Sequence, residues 1–307
     1  LSALILGAIA SLASAQTSTK QLSDLEYITE QIKIISSDEF GGRKPLSEYE
    51  DKTIGYISSE YRRLGLQSAF EGSYYQDVEQ LKTRTTVKGG KVLVRQKKGK
   101  RLSIKSEREL ILWTNANTDR IELKNSPVVF AGYGISAPEY GWDDYKGEDV
   151  RGKVVLVLEN DPGRIDESIF SGKGLTYYGR ASYKYEEAFG RGAAACLVIH
   201  QNGQSAYTFS ALQAAHGGQE ISLLKEKESG VCGWIAETAA AQIFKGAGLS
   251  LEELCKKASV RDFHPLDLNA GLSASLEVQA QRGTSHNVIG IIPGTDLKDE
   301  CVVVVAH

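Results

Sequence analysis

The sequence predicts an α/β domain interrupted by an inserted β-rich domain. Three observations carry this expectation. Two capped amphipathic helices fill the stretch from Ser23 to Gly65. Residues 74–126 then alternate in polarity and carry hairpin signals. Continuous apolar runs follow between 127 and 200 and return at 287–292 and 301–306, the pattern of strands covered on both faces.

The chain has 307 residues, 41% hydrophobic and 24% charged, so it is neither a disordered tail nor a disulfide-dense mini-protein. Thirty-six Lys and Arg against 39 Asp and Glu leave a net charge of −3, which gives no overall field for nucleic acid or an anionic membrane. The length accommodates two cores. The chain begins at Leu1 and contains no Met, so its first residue is read as lying downstream of the translation start.

Leu1–Ala15 is apolar and closes on Ala13-Ser14-Ala15, the small-x-small pattern of a signal-peptidase site. The expectation is a signal peptide lacking its start, with the mature chain secreted or periplasmic from near Gln16. No Cys follows the site for a lipid anchor, and no other run approaches a membrane span. Cys196 and Cys301 sit in apolar strand-like runs and read as small core residues. Cys232 and Cys255 flank a helical stretch and could pair; no cysteine spacing suggests zinc.

Ser23-Asp-Leu-Glu26 is a capping box that opens a helix with Leu25, Ile28, Ile32 and Ile35 on one inward face. Ser47-Glu-Tyr-Glu50 opens a second, with Ile54, Ile57, Tyr61 and Leu64 inward and Gly65 as its stop. Lys88-Gly-Gly-Lys91 reads as a hairpin turn, and Gln96-Lys-Lys-Gly-Lys-Arg101 as a solvated basic turn between strands. Pro127–Ala131 and Lys153–Glu159 are strands, the second closed by Asn160-Asp-Pro-Gly163. Ala181–Gly192 is helical and Ala193–His200 a strand. Val231–Ala236 is another strand, followed by helices over Thr238–Gly246 and Ser250–Lys257. Leu272–Ala280 alternates like an exposed strand. Asn287–Ile292 and Cys301–Ala306 read as buried strands joined through Pro293-Gly294.

Gly132-Tyr-Gly134-Ile-Ser-Ala137 follows a strand and matches a dinucleotide fingerprint. Pro138 comes at once and no helical period follows, so no helix N-terminus faces a pyrophosphate, and the segment reads as a turn. There is no G-x-S-x-G, no H-E-x-x-H and no Walker loop. Of the five histidines, His200 ends a strand, His216 and His264 fall in loops, and His286 precedes a strand. His307 follows Val-Val-Val-Val-Ala at the carboxyl end of a buried run, the edge where ligands and metals bind in open α/β sheets.

Together these residues resemble a known family. Ile34-Ile-Ser-Ser-Asp-Glu-Phe-Gly-Gly-Arg43, Tyr61-Arg-Arg-Leu-Gly65, Ser285-His-Asn-Val-Ile-Gly290 with Pro293-Gly294, and Val303-Val-Val-Ala-His307 look like successive landmarks of the M28 zinc peptidases, which are exported aminopeptidases and their relatives. Val128–Ile135, Ala137–Tyr145, Gly152–Val155 and Thr176–Ala195 look like a protease-associated (PA) domain inserted between them.

The resemblance implies a partial phosphorylase/hydrolase-like zinc-peptidase α/β domain interrupted by the PA domain. It divides the chain into a signal peptide at 1–15, an N-terminal peptidase part with a β-rich extension at 16–124, a PA-like domain at 125–270 and the start of the core sheet at 271–307. It implies two zinc ions and a peptide substrate for the intact parent, with no nucleic acid and no membrane anchor. His307 matches the first metal ligand. No catalytic residue lies within the 307, and the remaining ligands and the general base are absent, so the chain is expected to be an inactive fragment. One zinc-bound imidazole cannot hold the metal or position a water. Alternative readings are a non-catalytic, exported PA-domain module that binds peptides, and another M28 activity such as carboxypeptidase or glutaminyl cyclase. Arg43 is read either as near the substrate side or as a surface cap on a helix. The aromatic set Tyr140, Trp142, Tyr145, Tyr177, Tyr178, Tyr183 and Tyr185 is read as core packing or, less simply, as a peptide-contact surface.

Overall fold

The structure is a computed structural model, and it describes residues 24–96, 99–224, 230–297 and 299–306. The expected signal peptide and His307 lie outside the described residues. In chain order the elements are α1 (Asp24–Ile35), α2 (Glu48–Arg63), β1 (Gln67–Ser68), β2 (Tyr75–Val87), β3 (Lys91–Arg95), β4 (Arg101–Lys105), β5 (Leu110–Thr114), β6 (Arg120–Phe130), β7 (Ser136–Ala137), β8 (Trp142–Asp143) and β9 (Val154–Leu158). They continue with α3 (Ala181–Gly190), β10 (Ala195–His200), α4 (Phe209–His216), β11 (Gln219–Leu223), β12 (Val231–Ala236), α5 (Glu237–Gly246), α6 (Leu251–Ala258), β13 (Leu266–Val288) and β14 (Gly290–Ile291).

The chain divides into two compact units, residues 77–285 and, from its two ends, residues 1–76 with 286–307. It passes from one unit to the other within β2 and again within β13.

The larger unit is built on a mixed sheet in the order β11-β2-β13-β6-β9-β10-β12-β5, with β3 and β4 added alongside β13. β6, β9, β10 and β12 run parallel to one another. Their continuous apolar sequences are explained by cover on both faces. One face packs Val155, Val157, Cys196 and Val198 against Tyr185, Ala188 and Leu212 of α3 and α4. The other packs Val154, Leu156, Leu197 and Ile199 against Ile243, Phe244 and Leu254 of α5 and α6. β13 alternates instead, burying Leu268, Leu272, Leu276 and Val278. β2 to β5, expected as an extension of the flanking part, hydrogen-bond into this same sheet.

Several expectations need correction. Lys88-Gly-Gly-Lys91 does not close a hairpin. β3 pairs with β13 and β4, whereas β2 pairs with β11 and β13, so the two strands that flank the glycines do not pair with each other. The hairpin is β3–β4, where the Gln96 N–H donates to the Lys100 carbonyl at 2.8 Å, between the strands the basic turn was expected to join. Cys232 and Cys255 cannot pair, because Cys232 belongs to one face of the sheet and Cys255 packs on the other. α4 and β11 lie in a stretch where no element was expected, and His216 is the last residue of α4, not a loop residue.

In the smaller unit α2 forms where expected, but its box does not close. The Ser47 hydroxyl donates to the Lys44 carbonyl, and the Glu50 carboxylate accepts from the backbone of Leu46 and, at 3.2 Å, of His286. Leu25, Ile28 and Ile32 of α1 are exposed, not inward. The helix meets α2 through its other side, where the Tyr27 hydroxyl donates to Glu60 at 3.1 Å and Tyr56 bonds Gln31. The buried strands expected at 287–292 and 301–306 are not found. Asn287 and Val288 are the unburied end of β13, Gly290–Ile291 pairs with Gln67–Ser68, and residues 301–306 form no strand and are exposed, Cys301 included.

Candidate functional site at the carboxyl edge of the parallel strands

The chemistry-bearing side chains of the larger unit gather where β6, β9 and β10 end. β6 runs into the Gly132–Gly134 turn. Gly134 sits at φ +67°, and a Cβ there would come within 2.6 Å of Val157 Cγ1. No α-helix follows; the chain makes β7, a short helical turn at Pro138–Tyr140 and β8, so no α-helix N-terminus faces the glycines. Asp144 comes immediately after β8 and folds back over the turn. Its carboxylate accepts from the backbone N–H of Tyr133 at 3.1 Å, of Ile135 at 3.0 Å and from the Trp142 indole at 2.9 Å.

Lys184, in the first turn of α3, is fully buried. Its ammonium donates to the carbonyl of Tyr133 at 2.6 Å and of Asn160 at 2.7 Å, tying the loop after β6 to the loop after β9. Burial opposes both charges. It raises the Asp144 carboxyl from its ordinary range and lowers the Lys184 ammonium, while each partner's charge works against that shift in the other. Asp161 accepts from Gly163 N–H at 3.0 Å and from the Thr176 hydroxyl at 2.5 Å, which fixes the start of the following loop. Glu159 accepts from Ser205 at 2.9 Å, and burial raises its carboxyl. His200 bonds the Tyr207 carbonyl through Nε2 at 2.8 Å.

This arrangement clamps loops. The buried charges hold backbone amides, carbonyls and side chains of neighbouring loops, and Lys184 is fully buried. Among the described residues no group of three or more His, Cys, Asp or Glu could hold a metal ion, and no helix is long and apolar enough to cross a membrane.

The other sequence candidates scatter. The Arg43 guanidinium donates to the carbonyl of Ile35, the last residue of α1, which is the helix-capping reading. His216 stacks on Trp113 at 4.2 Å and bonds Glu220 at 3.0 Å. His264 is exposed in a loop, and His286 packs edge-on to Tyr75. Of the aromatic set, Trp142, Tyr145, Tyr183 and Tyr185 are core, whereas Tyr177 is 58% exposed. Sequence reasoning missed Lys184, Asp144 and Glu159. The available signal was a lysine between two aromatic residues, Tyr183-Lys-Tyr185, on a helix face predicted to be apolar.

No protein-family model matches the chain, and no curated protein matches it. Among solved structures, it is similar to BSAP, a zinc aminopeptidase from Bacillus subtilis, at 18% identity and a TM-score of 0.35, over 88% of this chain and 47% of that one. A medium-resolution structure of BSAP gives 18% and 0.34 over 89% and 48%. A peptidase M28 precursor from Shewanella amazonensis gives 14% and 0.35 over 88% and 54%. The chain thus spans about half the length of the solved structures it matches.

Proposed function

We propose that the chain belongs to a zinc-dependent exopeptidase of the M28 kind, an exported enzyme that removes N-terminal residues from peptides, and that residues 125–270 correspond to its PA insertion. The observation that supports this best is in the smaller unit. Two of the landmarks, Tyr61–Gly65 and Ser285–Gly290, are more than 200 residues apart in sequence. β1 and β14 pair there, and a Cβ on Gly290 would come within 2.6 Å of Leu66 and 2.8 Å of Tyr61. The N–H of Ile289 donates to Tyr74 O at 2.7 Å. That contact gives the two motifs a common reason to be where they are: they are halves of one unit that the insertion interrupts.

The described residues do not make a zinc site, and no catalytic step follows from them. His307 is proposed as one ligand of a centre whose other ligands lie outside these residues. These 307 residues alone are accordingly proposed to be inactive. The test compares the purified chain with a version that includes whatever its gene encodes beyond His307, reading zinc content and release of p-nitroaniline from leucine p-nitroanilide. The chain alone should hold no stoichiometric zinc and hydrolyse nothing, and the longer version should do both. Zinc-dependent release by the chain alone, or a longer version without zinc, would sink the proposal.

A further inference from the structure

The charges of this chain are segregated. Between Gln80 and Ser106 there are ten Lys or Arg and no Asp or Glu, which leaves 26 basic residues against all 39 acidic ones elsewhere. The structure folds much of this stretch into the β3–β4 ribbon. Val92, Val94 and Ile104 point into the core. The opposite face carries Lys91, Leu93 and Arg95 on β3, and Arg101, Ser103 and Lys105 on β4, all exposed.

The register is the informative part. Lys91 stands directly across from Lys105, and Arg95 directly across from Arg101. Directly opposed cross-strand side chains are about 5 Å apart at Cβ, and like charges there are destabilising. The two pairs are separated by four residues, about 14 Å along the ribbon. No described carboxylate forms an ion pair with any of the four, and the Glu109 carboxylate reaches the Lys105 backbone N–H at 3.0 Å; at the ribbon's end Lys88 pairs with Glu277 at 3.8 Å. On the next strand, β13 sets Gly271 beside Arg95 and Ser273 beside Leu93, neither of them acidic. A surface that opposes four cations in two pairs, none of them held in a described ion pair, costs stability and is poised for an anion.

A second observation adjoins it. Arg95 also lines a pocket of about 280 Å³ with Gln96, Asn125, Asp267, Asn269 and Gly271. The wall is made by irregular backbone: β6 and β13 slip register between Asp267 and Gly271, and Asn125 and Asn269 take φ of +52° and +48°. Asp267 is occupied in accepting from the Asn269 N–H at 2.7 Å, and Gln96 donates to the Gln242 carbonyl at 2.9 Å. Amides and a carboxylate in a shallow cleft suit hydroxyl groups.

We propose that the outer face of the β3–β4 ribbon, with this pocket, docks an anionic polysaccharide, a chain bearing carboxylate or sulfate groups together with free hydroxyls. The cation pairs take the charges and the amide-lined pocket takes hydroxyls. Two other polyanions fit less well. No aromatic residue occurs between Tyr75 and Trp113, so unstacked bases find no platform. Leu93 is the one large apolar side chain exposed on the ribbon among the described residues, which gives a bilayer little to bury. The proposal does not rest on the peptidase reading.

The test is binding of the full chain to polygalacturonate and to heparin, which separate carboxylate from sulfate, with dextran, a single-stranded oligonucleotide and phosphatidylglycerol vesicles alongside. Binding should be salt-dependent to one or both anionic polysaccharides, absent to dextran, and weaker to the other two. Lys91→Thr combined with Arg101→Thr removes one cation from each opposed pair. It should weaken binding at least tenfold while raising the thermal midpoint, a combination that loss of folding cannot produce. Asn269→Gly keeps the left-handed backbone and should weaken binding severalfold without changing its salt dependence. The proposal is overturned by unaltered binding in the double variant, by no effect of Asn269→Gly, or by an oligonucleotide or vesicle bound as tightly as the polysaccharide.

Discussion

β10 reads Ala-Cys-Leu-Val-Ile-His200, and residues 301–306 read Cys-Val-Val-Val-Val-Ala. Sequence periodicity treats these runs alike, as strands buried on both faces. In the larger unit every residue of β10 is buried between β9 and β12. In the smaller unit Val302–Val305 are 71–92% exposed. The run supplies a demand for cover, and the neighbouring strands and helices that meet it come from elsewhere in the chain. The larger unit contains them, with helices on each face of its parallel strands. The smaller unit, among the described residues, does not, and the exposed stripe of α1 repeats the same lesson.

The sharpest way to break this comparison is at Lys184. Lys184→Met leaves two buried carbonyls without a donor and Asp144 without its neighbouring cation. Removing one member of a buried charged pair costs about 3–5 kcal/mol. The loss should appear in urea unfolding followed by tryptophan fluorescence, since Trp113, Trp142 and Trp234 all lie in the larger unit. The pH dependence has a fixed sign. Burial lowers the Lys184 ammonium below its unfolded value of about 10.5, so over the window beneath that value the unfolded state binds more protons and stability rises with pH. Relative to Lys184→Met, the native chain should gain stability across that window. A difference that is flat or falling with pH would mean the ammonium is not held as described.

A paired truncation tests the comparison directly. Leu156 is fully buried in β9, and Leu156→Ala should cost about 3 kcal/mol. Val304 is 91% exposed, and Val304→Ala should cost less than about 0.5 kcal/mol. Comparable losses in the two variants would show that residues 301–306 are covered in solution. The measurement for Val304 is hydrogen exchange in the smaller unit, where there is no tryptophan to report.

How much could be read in advance follows the same division. The four parallel strands, α3, α5 and α6 were legible because each one's period and caps agree with the packing it finds. The glycine turn after β6 was legible because Pro138 biases Ala137 away from the helical region and no helical period follows, and only a three-residue turn forms there. The failures came where a local signal had two outlets. Ser47 and Glu50 have the spacing of a capping box, yet Glu50 is drawn to Leu46 and His286. Lys88-Gly-Gly-Lys91 has hairpin chemistry, yet β13 offers both flanking strands longer partners. The candidate site was least legible. Lys184 and Asp144 are polar residues in apolar surroundings, and nothing in spacing announces which carbonyl a buried ammonium will find.

Gly290 offers the finest test of the smaller unit. Its backbone is not in the left-handed region, so a side chain is excluded by space alone. A Cβ would need Leu66 and Tyr61 to retreat by several tenths of an ångström. Tyr61 packs edge-on to Tyr74, whose hydroxyl donates to the Leu66 carbonyl at 2.7 Å, so the two neighbours are themselves braced. Overpacking of that kind costs about 1–3 kcal/mol, and a few flexible neighbours favour the low end. Gly290→Ala should therefore speed exchange at Ile289 and Ile291 while the tryptophan-detected unfolding of the larger unit stays unchanged. If both signals move together, the two units do not unfold independently, and the contrast between them is one of composition alone.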